Sequence, residues 1–351
     1  MGASLIRGKL FDRLRAFTLN GFIVNGMKGL TDIEGLRVGH ASDFDAVTGC
    51  TVILCGREGA VAGVDVRGGA AGERELETLR PGHLVERVHA VVLAGGSAFG
   101  LDAAGGVMRW LEEQGIGFDT GVARVPIVPA AIIFDLGLGD PRRRPDGAMG
   151  YEAAKRATSD AVEEGSVGAG TGATVGKLFG VKRATKGGLG SATVTLGGGV
   201  QVAALAVVNA FGDVRDPATG KIIAGARASE SSAEFVDTVA QMKGGTARKD
   251  FSSPAPTNTT LAVVATDARF EKAAVTKIAA LAQNGLARTI APVHTMFDGD
   301  VVFALSLGEK TADLNTVGTA AAEAVAAAIV RAVTKARPLG GIPATLELNA
   351  L

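Results

Sequence analysis

The chain has 351 residues, 47% of them hydrophobic, which is enough for one large core or two smaller ones. Its 36 basic and 36 acidic side chains cancel, which excludes recognition of nucleic acid or of an anionic membrane surface through bulk charge. Fifty glycines beside one Trp and one Tyr, without a collagen period, exclude a fibrous chain and point to tight turns and close backbone approaches.

Among the first thirty residues, Leu5, Ile6, Leu10, Phe11, Leu14, Phe17, Phe22 and Ile23 are interrupted by Arg7, Lys9, Asp12, Arg13 and Arg15. The stretch is neither a continuous apolar leader nor a membrane span, and 1–29 predicts an amphipathic helix or an unstructured N-terminal extension. From Leu30 the texture is globular. Val52–Leu54, Ala60–Asp65, Ala90–Leu93, Ala192–Leu196, Val200–Val208, Leu261–Ala265 and Val301–Leu307 are short apolar runs bounded by glycine or turn residues, the pattern of buried strands. Helices are expected over Ala98–Gln114, over Tyr151–Glu164, from an N-cap at Asp267 to about Asn284 with Gly285 as its stop, and over the alanine-rich run Asn315–Lys335. The mixture predicts a layered α/β sandwich.

Cys50 and Cys55 stand five apart in one strand-like run, so they face opposite ways and do not pair. They read as small buried residues of a reducing compartment, and a soluble cytoplasmic protein is expected. The four histidines are scattered without zinc spacing, and neither metal nor cofactor is expected.

A polar, glycine- and proline-containing segment ends abruptly at Asn258, where the strand-like Thr259-Thr260-Leu261 begins. An Asn-Thr bond there suits an N→O acyl shift, which after hydrolysis frees an N-terminal threonine. Such a residue carries nucleophile and base together, because its α-amine has an unperturbed pKa of about 8. Thr259 and Thr260 also read simply as β-branched residues opening a strand.

Other patterns are weaker. Gly168-Ala-Gly170-Thr-Gly172 imitates a dinucleotide fingerprint but follows a helix, and Gly176-Lys177 lacks the earlier glycine and the following hydroxyl of a phosphate loop. In Gly95-Gly96-Ser97-Ala98-Phe99-Gly100 the glycine falls one place late for a nucleophile elbow. Lys177, in a glycine-rich loop, would lower the pKa of a nearby amine, or is a surface lysine. Asn209 ends a buried run and would donate to an oxyanion, or caps a turn. Asp298-Gly299-Asp300 puts two carboxylates at the mouth of a strand, or is an ordinary turn.

In order, the chain contains Asp65-Val-Arg-Gly-Gly-Ala-Ala-Gly-Glu-Arg-Glu75, Leu93-Ala-Gly-Gly-Ser-Ala-Phe-Gly-Leu-Asp102, Val125-Pro-Ile-Val-Pro-Ala-Ala-Ile-Ile-Phe-Asp135, the Lys177 loop, Ala206-Val-Val-Asn209, Asn258-Thr-Thr260 and Asp298-Gly-Asp300. Over roughly Leu30 to Pro343 this resembles the DmpA-type aminopeptidases (L-aminopeptidase/D-esterase), which include β-peptidyl aminopeptidases and the nylon-oligomer hydrolase NylC. The resemblance implies an αββα sandwich like that of DmpA and the ornithine acetyltransferases, made as one precursor and self-cleaved. The α chain would be 30–258, with 243–258 a flexible linker, and the β chain 259–351, both forming one catalytic domain. It further implies cleavage between Asn258 and Thr259, with Lys177, Asn209, Asp298 and Asp300 around Thr259, a small peptide or amide substrate, and a homotetramer. Where many relatives carry Tyr, this chain has Phe99, which leaves Asn209 and backbone N–H groups as oxyanion donors. Ser97 and Phe99 are the expected pocket residues.

Two alternatives accompany this reading. An ornithine-acetyltransferase-like enzyme would pass the acyl group to an amine rather than to water, and acyl-ornithine assayed with and without glutamate separates the two. A scaffold that kept the fold without the chemistry would remain one intact chain.

Overall fold

The computed structural model describes residues 28–246 and 258–348, together with the backbone of two strands nearer the N-terminus. In chain order the framing elements are β1 (Ala16–Leu19), β2 (Phe22–Asn25), β3 (Arg37–Asp43), β4 (Thr48–Leu54), β5 (Ala60–Val66), β6 (Glu73–Arg74), β7 (Arg87–Val88), β8 (Ala90–Ala94), α1 (Ala103–Glu113), β9 (Ala130–Ile132), α2 (Gly147–Lys155), β10 (Gly188–Thr195), β11 (Gln201–Asn209), β12 (Thr259–Ala268), α3 (Lys272–Thr289), β13 (Val301–Lys310) and α4 (Leu314–Lys335). The larger sheet runs β1-β2-β10-β11-β12-β13-β5-β7 and the smaller β3-β4-β8-β9-β6.

Strand periodicity sorts the core into layers. In β12, Leu261 and Val263 face the seam between the sheets, where they meet Ile53, Val91 and Leu93 of the smaller sheet. Ala262 and Val264 face the other way, onto Val275 and Ile278 of α3 and Val325 and Ile329 of α4. The outer face of the smaller sheet, with Cys50, Val52 and Val92, is covered by Val107 of α1 and Ala153 of α2. The result is helix, sheet, sheet, helix, as the αββα expectation had it. The two cysteines lie as their spacing predicts, Cys50 in the outer cluster and Cys55 in the seam. Both are unpaired, and burial pushes each thiol up to about 12.

Each of the seven expected strand runs overlaps a strand, and α4 matches its alanine-rich run. By length and composition α4 could cross a membrane, but 78% of its most apolar window is buried inside the fold. Four expectations fail for local reasons. Residues 16–19 and 22–25 are strands rather than helix or coil: β1 and β2 pair with each other and β2 pairs with β10, extending the sheet, while 1–15, 20–21 and 26–27 lie outside the described residues. The helix expected over 151–164 ends at Lys155, because Thr158 turns to bridge Val38. Asp267 caps nothing: it is still in β12, where its carboxylate accepts from Gln201 N and Lys310 Nζ, and α3 begins at Lys272. Gly285 does not stop that helix. It lets α4 approach so closely that a Cβ there would lie 2.4 Å from the carbonyl oxygen of Ala322. Of the expected linker 243–258, Lys243 is the last residue of a short helix, Thr238–Lys243, and 247–257 lies outside the described residues.

Candidate active site

The end of one strand of the larger sheet and the starts of its two neighbours converge on one peptide bond. β12 pairs antiparallel with β11, setting Thr259 opposite Asn209, and parallel with β13, setting Leu261 opposite Val301. The same offset continues past the strand end, where Asn258 bridges Asp298. Alternation then fixes direction. Thr259 and Asn209 share the parity of Leu261, Val263 and Val207, which face the seam, whereas Thr260 shares that of Ala262, which faces the helices.

The Asn258–Thr259 bond is held from several sides. Asn258 donates its N–H to the Phe297 carbonyl at 2.8 Å, and its own carbonyl oxygen accepts from Gly299 N–H at 2.8 Å and from the Thr259 hydroxyl at 2.6 Å. Thr259 is only 1% exposed. The nucleophile candidate therefore touches the carbonyl group it would attack.

On the β11 side, Lys177 Nζ donates to Asn209 Oδ1 at 2.6 Å and to the Asn209 carbonyl at 3.0 Å. Asn209 Oδ1 also accepts from Thr174 N, while Nδ2 donates to Phe134 O at 3.0 Å. Two donors on the oxygen and a carbonyl on the nitrogen leave this amide one orientation. One of its two N–H bonds is thus already used, and Asn209 ties the larger sheet to the end of β9. Lys177 is buried, not the surface lysine of the alternative reading.

On the β13 side, Asp298 accepts from Phe211 N at 3.1 Å, Thr295 N at 3.2 Å and the Thr295 hydroxyl at 2.6 Å. Asp300 accepts from Thr260 N at 2.7 Å through Oδ1 and from His294 Nδ1 at 2.8 Å through Oδ2. Burial first, and then the neighbouring Asp300 carboxylate, push Asp298 up to about 6. Asn258 Oδ1, Thr260 Oγ1 and His294 Nε2 are buried with no partner among the described residues. An unsatisfied buried polar atom costs about 1–3 kcal/mol, so these three are positions where water or a ligand would be held.

Lys177, Asn209, Asn258, Thr259, Asp298 and Asp300 therefore come together, whereas Ser97 and Phe99 stand apart. Phe99 is 60% exposed beneath the Arg144 guanidinium, 3.9 Å from its ring centroid. The turn that carries it is linked to the site indirectly: Gly96 N donates to Asp135, next to the Phe134 whose carbonyl holds Asn209. Burial raises Asp135 and lowers Lys186 to about 7, and Lys186 Nζ donates to the carbonyls of Thr171 and Ala173 in the Lys177 loop. Sequence reasoning missed His294 and Thr295. The one signal available was their position in the loop entering Asp298-Gly299-Asp300, with Thr295 three residues before Asp298, a spacing at which hydroxyl and carboxylate meet within one turn. Among the described residues no group of three or more His, Cys, Asp or Glu could hold a metal ion.

The model of peptidase family S58 matches residues 28–345. A Mycobacterium tuberculosis protein bearing the name uncharacterized aminopeptidase is 43% identical over 90% of this chain and 96% of its own length. The 6-aminohexanoate-oligomer endohydrolase of Kocuria sp. is 31% identical over 79% of this chain and 74% of its own. Among solved structures, the L-aminopeptidase D-Ala-esterase/amidase of Ochrobactrum anthropi, described as a variant of the Ntn hydrolase fold, superposes with a TM-score of 0.69 at 21% identity, covering 95% of this chain and 92% of that one. A Burkholderia β-aminopeptidase does so at 0.68 and 22% identity, over 92% and 93%. These two likenesses speak to the fold, and the family match and the relatives to the chemistry: the chain belongs to peptidase family S58, the DmpA family its motifs resemble, and is a hydrolase of peptide or amide bonds.

Proposed function

We propose that the protein is a self-processing N-terminal-threonine amidase that acts on short peptides or small amino-acid oligomers. The observation that carries this reading is the Thr259 hydroxyl 2.6 Å from the oxygen of the preceding carbonyl, inside a buried polar cluster where one strand ends and its two neighbours begin. In processing, Thr259 Oγ bonds to the Asn258 carbonyl carbon, the C–N bond breaks, and the hydroxyl proton ends on the freed amine. Water then cleaves the ester, giving the Asn258 carboxylate and a free Thr259 hydroxyl. In turnover the α-amine of Thr259 takes the hydroxyl proton, Oγ bonds to the substrate carbonyl carbon, the C–N bond breaks with the proton passing to the leaving amine, and water then hydrolyses the acyl-enzyme ester to release the acid and restore the Thr259 hydroxyl.

Lys177, hydrogen-bonded to the residue opposite Thr259, is proposed to depress the pKa of that amine and so keep it a base near neutral pH. Asn209 aligns Lys177 and offers its remaining N–H to the seam. Asp298 and Asp300 position the strand heads. The relatives' names support the substrate class, and the resemblance supports a homotetramer. Two buried, unpaired thiols support a cytoplasmic location.

Mass spectrometry of wild type should find two species, ending at 258 and beginning at 259, with hydrolysis of aminoacyl p-nitroanilides or 6-aminohexanoate oligomers. Thr259→Ala should stay intact and lose roughly 10⁴-fold or more in turnover. A Thr259→Ala chain still cut at this bond, or still active, would sink the proposal.

A further inference from the structure

We propose that the backbone N–H of Gly299 is the oxyanion donor for both reactions of Thr259, the breaking of its own bond to Asn258 and the turnover of substrate. The inference rests on Thr259 being the nucleophile. The parallel offset that sets Leu261 opposite Val301 also sets Asn258 opposite Asp298, and it makes Gly299 N→Asn258 O, at 2.8 Å, one more rung of the ladder. That oxygen belongs to the bond to be cut. Its other donor is the Thr259 hydroxyl, which gives up that role when its oxygen attacks. As negative charge gathers on the carbonyl oxygen, Gly299 N–H is the donor that stays.

The donor is preorganised, as an oxyanion site requires. Ala70 N donates to the Asp298 carbonyl at 2.9 Å and Arg67 N to the Asp300 carbonyl at 2.8 Å, so the backbone on both sides of Gly299 is clamped by the Asp65–Glu75 stretch. The clamp needs glycine: Gly68 has φ +88°, and a Cβ there would lie 2.3 Å from the Asp298 oxygen. Gly299 is equally constrained, since its Cβ would stand 2.5 Å from the Ala70 oxygen. The flanking carboxylates are held elsewhere, by Phe211, Thr295, Thr260 and His294.

Both reactions build a tetrahedral carbon on the same Thr259 oxygen. When Asn258 departs as a carboxylate, Gly299 N–H loses its ladder partner, and a substrate carbonyl seated for attack takes that place.

Gly299→Ala in the full chain keeps the N–H but displaces it. Self-cleavage, followed by mass spectrometry over time, should slow by roughly 10²–10³-fold, and the chain once fully cut should lose a similar factor in kcat with little change in KM. Cleavage and turnover at wild-type rates in a folded variant would overturn the inference, as would slow cleavage with undiminished kcat. Should Gly299→Ala not fold, hydrogen exchange at Gly299 decides instead. It should be slow in intact Thr259→Ala, fast in processed wild type, and slow again when a peptide aldehyde forms a hemiacetal on Thr259; equal exchange in all three would refute it. A Thr259→Ala chain that is cut removes the nucleophile assignment, whereas an intact Thr259→Ala beside a normal Gly299→Ala removes only this one.

Discussion

Asp213 and Asp298 are nearly the same chemical object in two regions of the molecule. Each is buried and accepts from two backbone N–H groups and one threonine hydroxyl, Asp213 from Ala226, Thr238 and the Thr238 hydroxyl, Asp298 from Phe211, Thr295 and the Thr295 hydroxyl. Each is raised to about 6, foremost by burial. They differ in what lies beyond. Asp213 ties the loop after Ile222–Ala224 to the start of the Thr238–Lys243 helix and touches nothing reactive. Asp298 has a second acid two residues on and lies beside the Asn258–Thr259 bond. A perturbed carboxyl is therefore no marker of an active site by itself; its neighbours decide.

The largest effect that would test this contrast is on processing. Asp298→Asn should slow self-cleavage by roughly 10²-fold or more, since the strand heads lose an anionic anchor beside the bond. Asp213→Asn should leave the rate within a few-fold while lowering stability by about 1–3 kcal/mol. Equal slowing in both variants, measured where both are folded, would erase the distinction.

A smaller effect concerns stability and pH. The Asp213 carboxyl is raised from 3.8 to about 6, so the native chain holds a proton that the unfolded chain releases in that window. Its contribution is fully present below pH ~4 and is lost as pH rises through about 6, on the order of 3 kcal/mol for the full shift. Urea unfolding of intact Thr259→Ala at pH 4.5 and 7 should show that decline together with a like one from Asp298, and adding Asp213→Asn should remove Asp213's share and leave the other.

The smallest is a shift of one titration. Thr295→Val removes a donor that favours ionised Asp298, so its pKa should rise and the acid limb of the processing rate should move up by roughly half a unit to one unit. Thr238→Val, which does the same to Asp213, should leave that limb unmoved.

Most of the sheet core was legible, because short apolar runs between glycines are what buried strands require. The ends of α2 and α3 were not, since they depended on distant partners: Asp267 answers to Gln201 and Lys310, and Gly285 to Ala322. At the site, ordered blocks pointed to Lys177, Asn209, Thr259 and the two acids, and folding brings them together. His294 and Thr295 stayed hidden because a loop histidine and threonine carry no periodicity, and their part is set by which carboxylates the ladder offset brings near. The donor of Asn209 likewise looked free in sequence, and Phe134 takes half of it.

The order of the larger sheet decides what a break before Thr259 would leave behind. β12 and β13, from the later piece, lie side by side between β11 and β5 of the earlier one. Neither fragment keeps a continuous central sheet alone, and α3 and α4 of the later piece roof strands of both. Severing the backbone would thus create two chain ends without creating two bodies: pulling the fragments apart would require melting the middle of the fold.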